Sequence, residues 1–204
     1  MQNIKNIIFD LGGVILNLDI KRTEDAFAAM GVTRLGDQFG LGHAASSFKD
    51  YEIGKISDQQ FVQSIKELAG LSVSDERVID GWNAMLMDFP PERIALLDEL
   101  GKRYRIFLFS NTNALHLSAL QQIYRDAFGD RNLDDHFEKA YYSHLLGMRK
   151  PASESYLHIL RENGLEGSET LFVDDALVNV EGADAAGLQG FHLKKGMTIL
   201  EIPW

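Results

Sequence analysis

The sequence predicts an α/β protein built on a parallel sheet, and two observations carry this prediction. Five short, almost continuously apolar runs recur along the chain, at 7–9, 104–109, 140–142, 171–173 and 190–193. Longer segments with helical spacing separate these runs. Because strands that are apolar throughout belong to parallel sheets with both faces covered, we expect a Rossmann-like core in which helices form the two outer layers.

The segments between the later runs have clear helix ends. Pro91 stands at a first helical position, and Gly101 follows the apolar pattern as a stop signal. A second helix is predicted from about 153 to 163, and a third between Asp175 and Gly187. We expect these boundaries to hold within about 2–4 residues.

Residues 17–88 contain no convincing strand pattern and are predicted to form a small helical cap, inserted after the first strand. Residues 1–16 and 89–204 would then form the core. Residues 57–60, Ser-Asp-Gln-Gln, have the form of a helix capping box, and apolar residues at helical spacing follow them. Four aromatic side chains are assigned to the small core of the cap rather than to a ligand site: Phe39, Phe48, Tyr51 and Trp82.

Composition limits the classes of partner. The chain has 204 residues, of which 45% are hydrophobic and 25% charged, as in an ordinary globular protein. Its formal net charge of -10 disfavours nonspecific binding to nucleic acid or anionic membranes, because both require clustered lysine and arginine. The lack of cysteine excludes disulfides and thiolate chemistry and fits a reducing cytoplasm. The apolar stretch near the N-terminus is too short for a signal peptide or a membrane span, so we expect a cytoplasmic protein.

Polar or charged residues follow four of the apolar runs. They are Asp10, Ser110-Asn111, Arg149-Lys150 and Asp174-Asp175. Because the carboxyl ends of parallel strands share one edge of a sheet, we expect these groups to meet there, where open α/β folds place their ligands.

The residue types at this edge suit the transfer of a phosphoryl group. Asp10, Asp174 and Asp175 offer hard oxygen ligands for Mg2+. Lys150 adds a compact positive charge, and Ser110 with nearby N–H groups can hold phosphoryl oxygens. A carboxylate approaching a phosphate dianion meets a repulsion of about 4 kcal/mol per charge pair at ~4 Å and an effective dielectric of ~20. A divalent cation beside Lys150 offsets this repulsion, so the sequence predicts Asp10 as a nucleophile that forms an acyl phosphate.

Four segments, in this order, resemble the motifs of haloacid dehalogenase superfamily hydrolases: 9–14, 109–112, 147–151 and 173–179. The helical insertion resembles the cap that follows the first motif in many members. Within the superfamily, the stretches Leu-Gly-Met-Arg-Lys-Pro and Ser-Asn-Thr-Asn are most similar to bacterial glucose-1-phosphate phosphatases, and more distantly to the phosphatase domain of soluble epoxide hydrolase.

This resemblance implies roles in hydrolysis of a small phosphorylated metabolite. Asp10 is the implied nucleophile, and Lys150 steadies both the nucleophile and the phosphate. Ser110 and Asn111 are the implied phosphate contacts.

The resemblance also implies a magnesium site. Its ligands are the carboxylates of Asp10 and Asp175 and the backbone carbonyl of Gly12. Asp174 is either a further ligand or the partner of one.

One departure from the family pattern concerns acid–base catalysis. Many phosphatases of this superfamily carry a second aspartate two residues after the nucleophile, and here that residue is Gly12. Loss of a positioned acid typically costs about 10²–10⁴-fold in rate. Asp19 would substitute only if the loop after Val14 folds back. A sugar 1-phosphate is an attractive substrate, because its anomeric oxygen leaves more easily than an ordinary alkoxide.

Each group also has a purely structural interpretation. Asp10 would cap a turn, Ser110-Asn-Thr112 would cap the helix that follows, and Lys150 would be a solvated loop charge. Asp174 and Asp175 would be helix caps, although adjacent carboxylates repel each other unless a cation lies nearby. The ordered series of four motifs favours the chemical interpretation.

Two rival functions stay open. A haloacid dehalogenase also uses the first aspartate and lacks the second, but it needs no metal, so Asp174 and Asp175 argue against it. A non-catalytic relic would bind a phosphorylated ligand without turning it over. The sequence identifies neither the physiological substrate nor the oligomeric state.

Overall fold

The computed structural model describes residues 3–32 and 45–204, so Phe39 lies outside the described residues. The strands are β1 (Asn6–Phe9), β2 (Arg105–Ser110), β3 (Lys139–Tyr142), β4 (Thr170–Asp174) and β5 (Gln189–His192). They form one sheet in the order β3-β2-β1-β4-β5, and every pairing is parallel. All five predicted runs are therefore confirmed as strands, with ends that shift by no more than one residue.

Side chains of the central strands enter two separate apolar cores in alternation. In β1, Ile7 and Phe9 belong to one cluster of buried side chains and Ile8 belongs to the other. All three are 0% exposed, so both faces of the sheet are covered. The same alternation divides Ile106 and Leu108 from Phe107 in β2. Helices must therefore cover the sheet on both sides, which confirms the predicted three-layer α/β core.

The described part of the segment between β1 and Pro90 is helical, as predicted. Its helices are α1 (Ile20–Ala28), α2 (Ala45–Glu52), α3 (Asp58–Ala69) and α4 (Asp75–Asn83). At the start of α3, the Gln60 N–H donates to the Ser57 hydroxyl and the Ser57 N–H donates to the Gln60 side chain. This reciprocal pair satisfies two N–H groups that a helix start leaves unpaired, and it confirms the predicted capping box.

These four helices share a small apolar core of their own. Phe27, Tyr51 and Phe61 are buried in it, and Phe48 and Trp82 pack against it from partly buried positions. Three of the four aromatic residues assigned to this core therefore lie there. The exact division of the chain at 17–88 stays a prediction, since Leu115 from a later helix also packs against this cluster.

The remaining α-helices accompany the strands of the core. They are α5 (Pro91–Leu100), α6 (Ala114–Phe128), α7 (Ser143–Leu146), α8 (Ser153–Asn163) and α9 (Leu177–Ala185). Pro91 is the first residue of α5 and Gly101 its C-cap, so the three predicted helices are confirmed. The cap of α6 is Asn113, whose side chain accepts from the His116 N–H. Ser110-Asn-Thr112 is therefore not the helix cap that the structural interpretation suggested.

The strand order creates a crevice beside β1. The chain places β2 and β3 on one side of β1 and then returns to place β4 and β5 on the other side. Ligands of open α/β sheets bind at such a switch point, outside the carboxyl ends of the strands. The residues that follow β1, β2 and β4 meet at this edge. No helix in the described part of the chain combines the length and the apolar surface that a bilayer crossing demands.

Candidate active site

Three carboxylates converge at the carboxyl edge of the sheet. One oxygen each from Asp10, Asp174 and Asp175 lies within 4.8 Å of the other two. Asp10 directly follows β1, and Asp174 ends the neighbouring strand β4. The structure therefore brings together side chains from opposite ends of the sequence. No other cluster of at least three possible metal-ligating side chains occurs within the described residues.

Lys150 lies between two of these carboxylates. Its Nζ donates to Asp10 Oδ1 at 2.6 Å and to Asp174 Oδ2 at 2.7 Å, and its side chain is 1% exposed. Burial lowers the pKa of Lys150, but the charges of Asp10 and Asp174 outweigh burial and raise it overall. Burial and the charge of Asp174 raise the pKa of Asp10, against the opposing effect of Lys150. The lysine is thus held as an ammonium inside an acidic site.

The two adjacent aspartates differ in what their oxygens contact. Both oxygens of Asp174 are hydrogen-bonded, because Lys150, the Ala176 N–H and the Asn179 side chain all donate to them. Asp174 is 0% exposed. Asp175 is exposed as a residue, but its carboxyl group is partly desolvated, and this desolvation together with the charge of Asp174 raises its pKa. Its Oδ2 lies over Gly13, where a Cβ atom would come within 2.3 Å.

The end of β2 supplies groups suited to an anion. Ser110 is buried, and Asn111 follows it on the wall of the same cavity as Asp10 and Lys150. The Asn111 side chain donates to the Lys150 carbonyl at 3.0 Å and accepts from the Lys150 N–H at 2.9 Å. The Asn111 side chain therefore fixes the loop that carries Lys150. For a phosphate, Asn111 has its backbone N–H group left to donate. Among the described residues, the N–H groups of Gly12 and Asn111 have no hydrogen-bond partner.

Gly12 lies where the family pattern often has a second aspartate. A Cβ atom there would lie 2.6 Å from Leu18 Cδ1, so Leu18 occupies the space that a side chain would need. Asp19 does not replace the missing acid. It is exposed, and its Oδ1 caps α1 by accepting from the Lys21 N–H at 3.1 Å. The loop after Val14 brings Leu18 to the cavity but leaves Asp19 outside it.

The cavity at this edge has a volume of about 250 Å³. Its polar end holds Asp10, Ser110 and Lys150. Much of the remaining wall is apolar, with side chains from the first loop, from the cap and from α6: Leu11, Leu16, Leu18, Trp82, Met85, Leu86 and Leu120. Such a space suits a small molecule with a phosphorylated end.

Several lining residues were not predicted as site residues. Trp82 stacks on His116 with ring centroids 4.7 Å apart, and Glu52 reaches the cavity from α2. Asn179 lines the cavity and donates to Asp174. The position of Asn179 within the fourth motif was an available signal. The sequence around Glu52 and His116 gave no comparable signal, because their position at the cavity depends on how the cap packs on the core.

The fold and this carboxylate–lysine centre define a class of α/β enzymes that act at the carboxyl edge of a parallel sheet. The chain matches the haloacid dehalogenase-like hydrolases over residues 4–187, and it belongs to that family. The resemblance of its four motifs is therefore confirmed.

Similar proteins include two curated phosphatases and one solved structure. The chain is 30% identical to D-ribitol-5-phosphate phosphatase from Bacteroides thetaiotaomicron, over 95% of this chain and 93% of the relative. It is 28% identical to a sesquiterpene phosphatase from Aspergillus oryzae, over 97% and 94% of the two chains. A HAD family enzyme from Bacteroides thetaiotaomicron, solved with magnesium and inorganic phosphate, superimposes with a TM-score of 0.84 at 34% identity, covering 95% of this chain and 96% of that one. The finer similarity to glucose-1-phosphate phosphatases stays a prediction.

Proposed function

We propose that the chain is a magnesium-dependent phosphatase that hydrolyses a small phosphorylated metabolite through an aspartyl phosphate on Asp10. The observation that carries this proposal is the placement of Asp10 beside Lys150 and two further carboxylates, at the polar end of the cavity. The phosphatases and the magnesium–phosphate complex among similar proteins support it. Phosphoric monoester hydrolysis is the activity that these relatives and this site share.

The donor set of the site fits a divalent cation. Three carboxylates face one ammonium, which leaves an excess of two negative charges when all of them are ionised. Oxygen ligands of this kind are those that Mg2+ prefers. Because every oxygen of Asp174 is already hydrogen-bonded, we assign the direct contacts to Asp10, Asp175 and the carbonyl of Gly12. Asp174 then holds Lys150 in place.

The bound cation would neutralise phosphate oxygens and lower the repulsion that an attacking carboxylate meets. Lys150 donates to Asp10 Oδ1, which leaves Oδ2 as the oxygen that attacks phosphorus. Ser110 and the N–H of Asn111 orient the phosphoryl group, since both face the same cavity. Water then attacks the phosphorus of the aspartyl phosphate, which releases phosphate and restores Asp10.

The size of the cavity favours a small leaving group. A volume of about 250 Å³ is close to the lower limit of about 300 Å³ for typical ligand pockets, so a sugar or polyol phosphate suits it better than a large ester. One of the relatives is named for a polyol phosphate, D-ribitol 5-phosphate, which agrees with this preference. A sugar 1-phosphate remains our candidate for a substrate with a good leaving group.

Removal of divalent cations tests the metal assignment. We expect EDTA to abolish hydrolysis of p-nitrophenyl phosphate and added Mg2+ to restore it. Asp175→Asn should raise the Mg2+ concentration needed for half-maximal activity by about tenfold or more, since altered metal ligation commonly costs 10–100-fold. Asp80→Asn, on exposed α4 surface away from the cavity, is the control. Full activity after chelation would exclude the mechanism.

Gly13→Ala should weaken the same site by a steric route. Gly13 has a φ of 77°, and its added Cβ would lie 2.3 Å from Asp175 Oδ2, so the carboxylate must move. We expect the half-saturating Mg2+ concentration to rise by about tenfold. Gly129→Ala is a matched control, because Gly129 has a φ of 74° and open space around its Cβ position. It likewise adds a Cβ atom at a positive φ, but without touching the site. Equal behaviour of the two variants in a Mg2+ titration would contradict the assignment.

Both rival functions make different predictions. A metal-independent dehalogenase would release halide from 2-haloacids after chelation, and the acidic cluster argues against it. A non-catalytic relic would bind phosphate esters but would show no turnover across a broad panel of phosphorylated metabolites. Turnover that requires both Asp10 and Mg2+ excludes each of them.

A further inference from the structure

The proposed reaction leaves one chemical need unmet. When the bond from phosphorus to the leaving oxygen of an alkyl phosphate breaks, that oxygen must receive a proton, because a free alkoxide is a poor leaving group. Gly12 has no side chain to supply it, and Leu18 fills the space beside Gly12. Asp19 caps α1 outside the cavity.

The titratable groups on the cavity wall can be considered in turn. Asp10 is the nucleophile, and Lys150 is held by Asp10 and Asp174. His116 has both ring nitrogens in use, since Asn113 Nδ2 donates to Nδ1 and Nε2 donates to the Trp82 carbonyl. Burial lowers the pKa of His116 to about 4, so it is a neutral ring without a transferable proton for the substrate. Of the described lining residues, Glu52 is the titratable group that remains.

Glu52 has a position and a partner that suit proton transfer. It is the last residue of α2 and reaches the cavity from the cap, opposite the sheet edge that carries Asp10. Its Oε2 forms an ion pair with Arg149, 2.8 Å from Nε, and neither oxygen of Glu52 makes a hydrogen bond of good geometry with the described residues. The Glu52–Arg149 ion pair connects the cap to the loop that carries Lys150. The ion pair thus holds the carboxyl group of Glu52 at the cavity, and the group keeps its hydrogen-bonding capacity for a ligand.

The charges around Glu52 come from both elements that flank it. Arg149 and Lys150 face it from the core, and Lys49 lies one turn earlier on α2. Burial raises the pKa of Glu52, and these three cations oppose that effect without cancelling it. A carboxyl group in this environment holds its proton at higher pH than an exposed glutamate does.

We propose that Glu52, supplied by the cap, is the general acid and base of the phosphatase reaction and takes the place of the carboxyl group that Gly12 lacks. The inference rests on the proposed function. In the first step Asp10 Oδ2 bonds to phosphorus, the bond from phosphorus to the leaving oxygen breaks, and the Glu52 proton passes to that oxygen. In the second step Glu52 accepts a proton from water as the water oxygen bonds to phosphorus and the Asp10–phosphorus bond breaks. Glu52 ends protonated, as it began.

The test compares two substrates with different leaving groups in wild-type protein and Glu52→Gln. p-Nitrophenolate leaves without protonation, whereas the alkoxide of ribitol 5-phosphate or glycerol 3-phosphate does not. We expect kcat/KM of Glu52→Gln for the alkyl phosphates to fall by about 10²–10³-fold, while kcat/KM for p-nitrophenyl phosphate stays within about threefold. The wild-type kcat/KM for the alkyl phosphates should decline at high pH as Glu52 loses its proton, and this decline should be absent in Glu52→Gln.

Arg149→Met is the matched variant, because it breaks the same ion pair but keeps the carboxyl group. At pH values below the decline, where Glu52 is protonated, it should change kcat/KM for both substrates by a common factor. Since Arg149 lowers the pKa of Glu52, its removal should move the high-pH decline to higher pH. An equal loss on both substrates in Glu52→Gln would overturn the proposal, because a residue that only fixes the cap affects every substrate. Wild-type protein without activity on either substrate would instead refute the proposed function itself.

Discussion

Replacing Asp10 with asparagine is expected to reduce phosphatase activity by at least about 10⁴-fold, the scale of loss seen when a covalent nucleophile is removed. Asparagine keeps the size of the side chain and can accept a hydrogen bond from Lys150, but its amide does not form an acyl phosphate. The loss should be the same for aryl and alkyl phosphates, because both require the same nucleophile. Steady-state hydrolysis of p-nitrophenyl phosphate in saturating Mg2+ measures the effect.

Acid quenching tests the intermediate directly. Wild-type protein mixed with a radiolabelled phosphate ester should retain label that hydroxylamine releases, since an acyl phosphate reacts with that nucleophile. Asp10→Asn should retain none. Asp126→Asn is the control, because Asp126 is an exposed aspartate on α6, away from the cavity, that accepts a hydrogen bond from the Gln122 side chain. Substantial activity in Asp10→Asn would remove Asp10 from the mechanism.

The sheet could be predicted from the sequence because its strands are buried on both faces. A run such as 171–173 is apolar at every position, so it is easily recognised as a buried strand. The polar residues that follow such runs mark the carboxyl ends of the strands. Topology then brings Asp10 and Asp174 together without any need to orient a side chain in advance. This is why the candidate metal-binding and phosphate-binding groups could be predicted as a set.

The different contacts of Asp174 and Asp175 could be seen only in the structure. Alternate residues of a strand face opposite sides, but a pattern does not reveal which side meets Lys150 and Asn179. The sequence also did not reveal that the Asn111 side chain hydrogen-bonds to the backbone of Lys150. A side-chain amide can bind a phosphate oxygen or a backbone group equally well, so the residue type alone does not distinguish the two. Hydrogen-bond saturation distinguishes these cases, and it can be read only when all partners are in place.

The part of the site contributed by the cap was the least predictable. Glu52 ends a helix whose apolar pattern describes packing inside the cap, and it meets Arg149 across the space between cap and core. Leu18 likewise covers Gly12 because the loop after β1 turns back, which the sequence allowed but did not require. The substrate is hard to predict for the same reason. The cavity wall beyond the polar end is formed largely by side chains whose positions depend on how the cap and the loop after β1 pack on the core.

Lys150→Met should destabilise the protein as well as inactivate it. The ammonium is 1% exposed and makes hydrogen bonds of 2.6 Å and 2.7 Å to two buried carboxylates. Methionine fills similar volume but leaves Asp10 and Asp174 facing each other without a cation. Breaking a buried pair by removing one partner typically costs about 3–5 kcal/mol, and we expect a loss of that size in the free energy of unfolding without Mg2+.

Chemical denaturation of Lys150→Met beside Lys139→Met measures this effect. Lys139 also forms an ion pair of 2.6 Å, with Glu162, but its side chain is 46% exposed and the pair is screened by water, so its removal should have little effect on stability. Added Mg2+ should narrow the difference in stability between wild type and Lys150→Met, because the cation would restore positive charge beside Asp10. It should leave the difference between wild type and Lys139→Met unchanged, because both proteins keep the same metal site. Equal stability of the two variants would mean that Lys150 does not balance the acidic centre, and the proposed attack by Asp10 would lose its electrostatic basis.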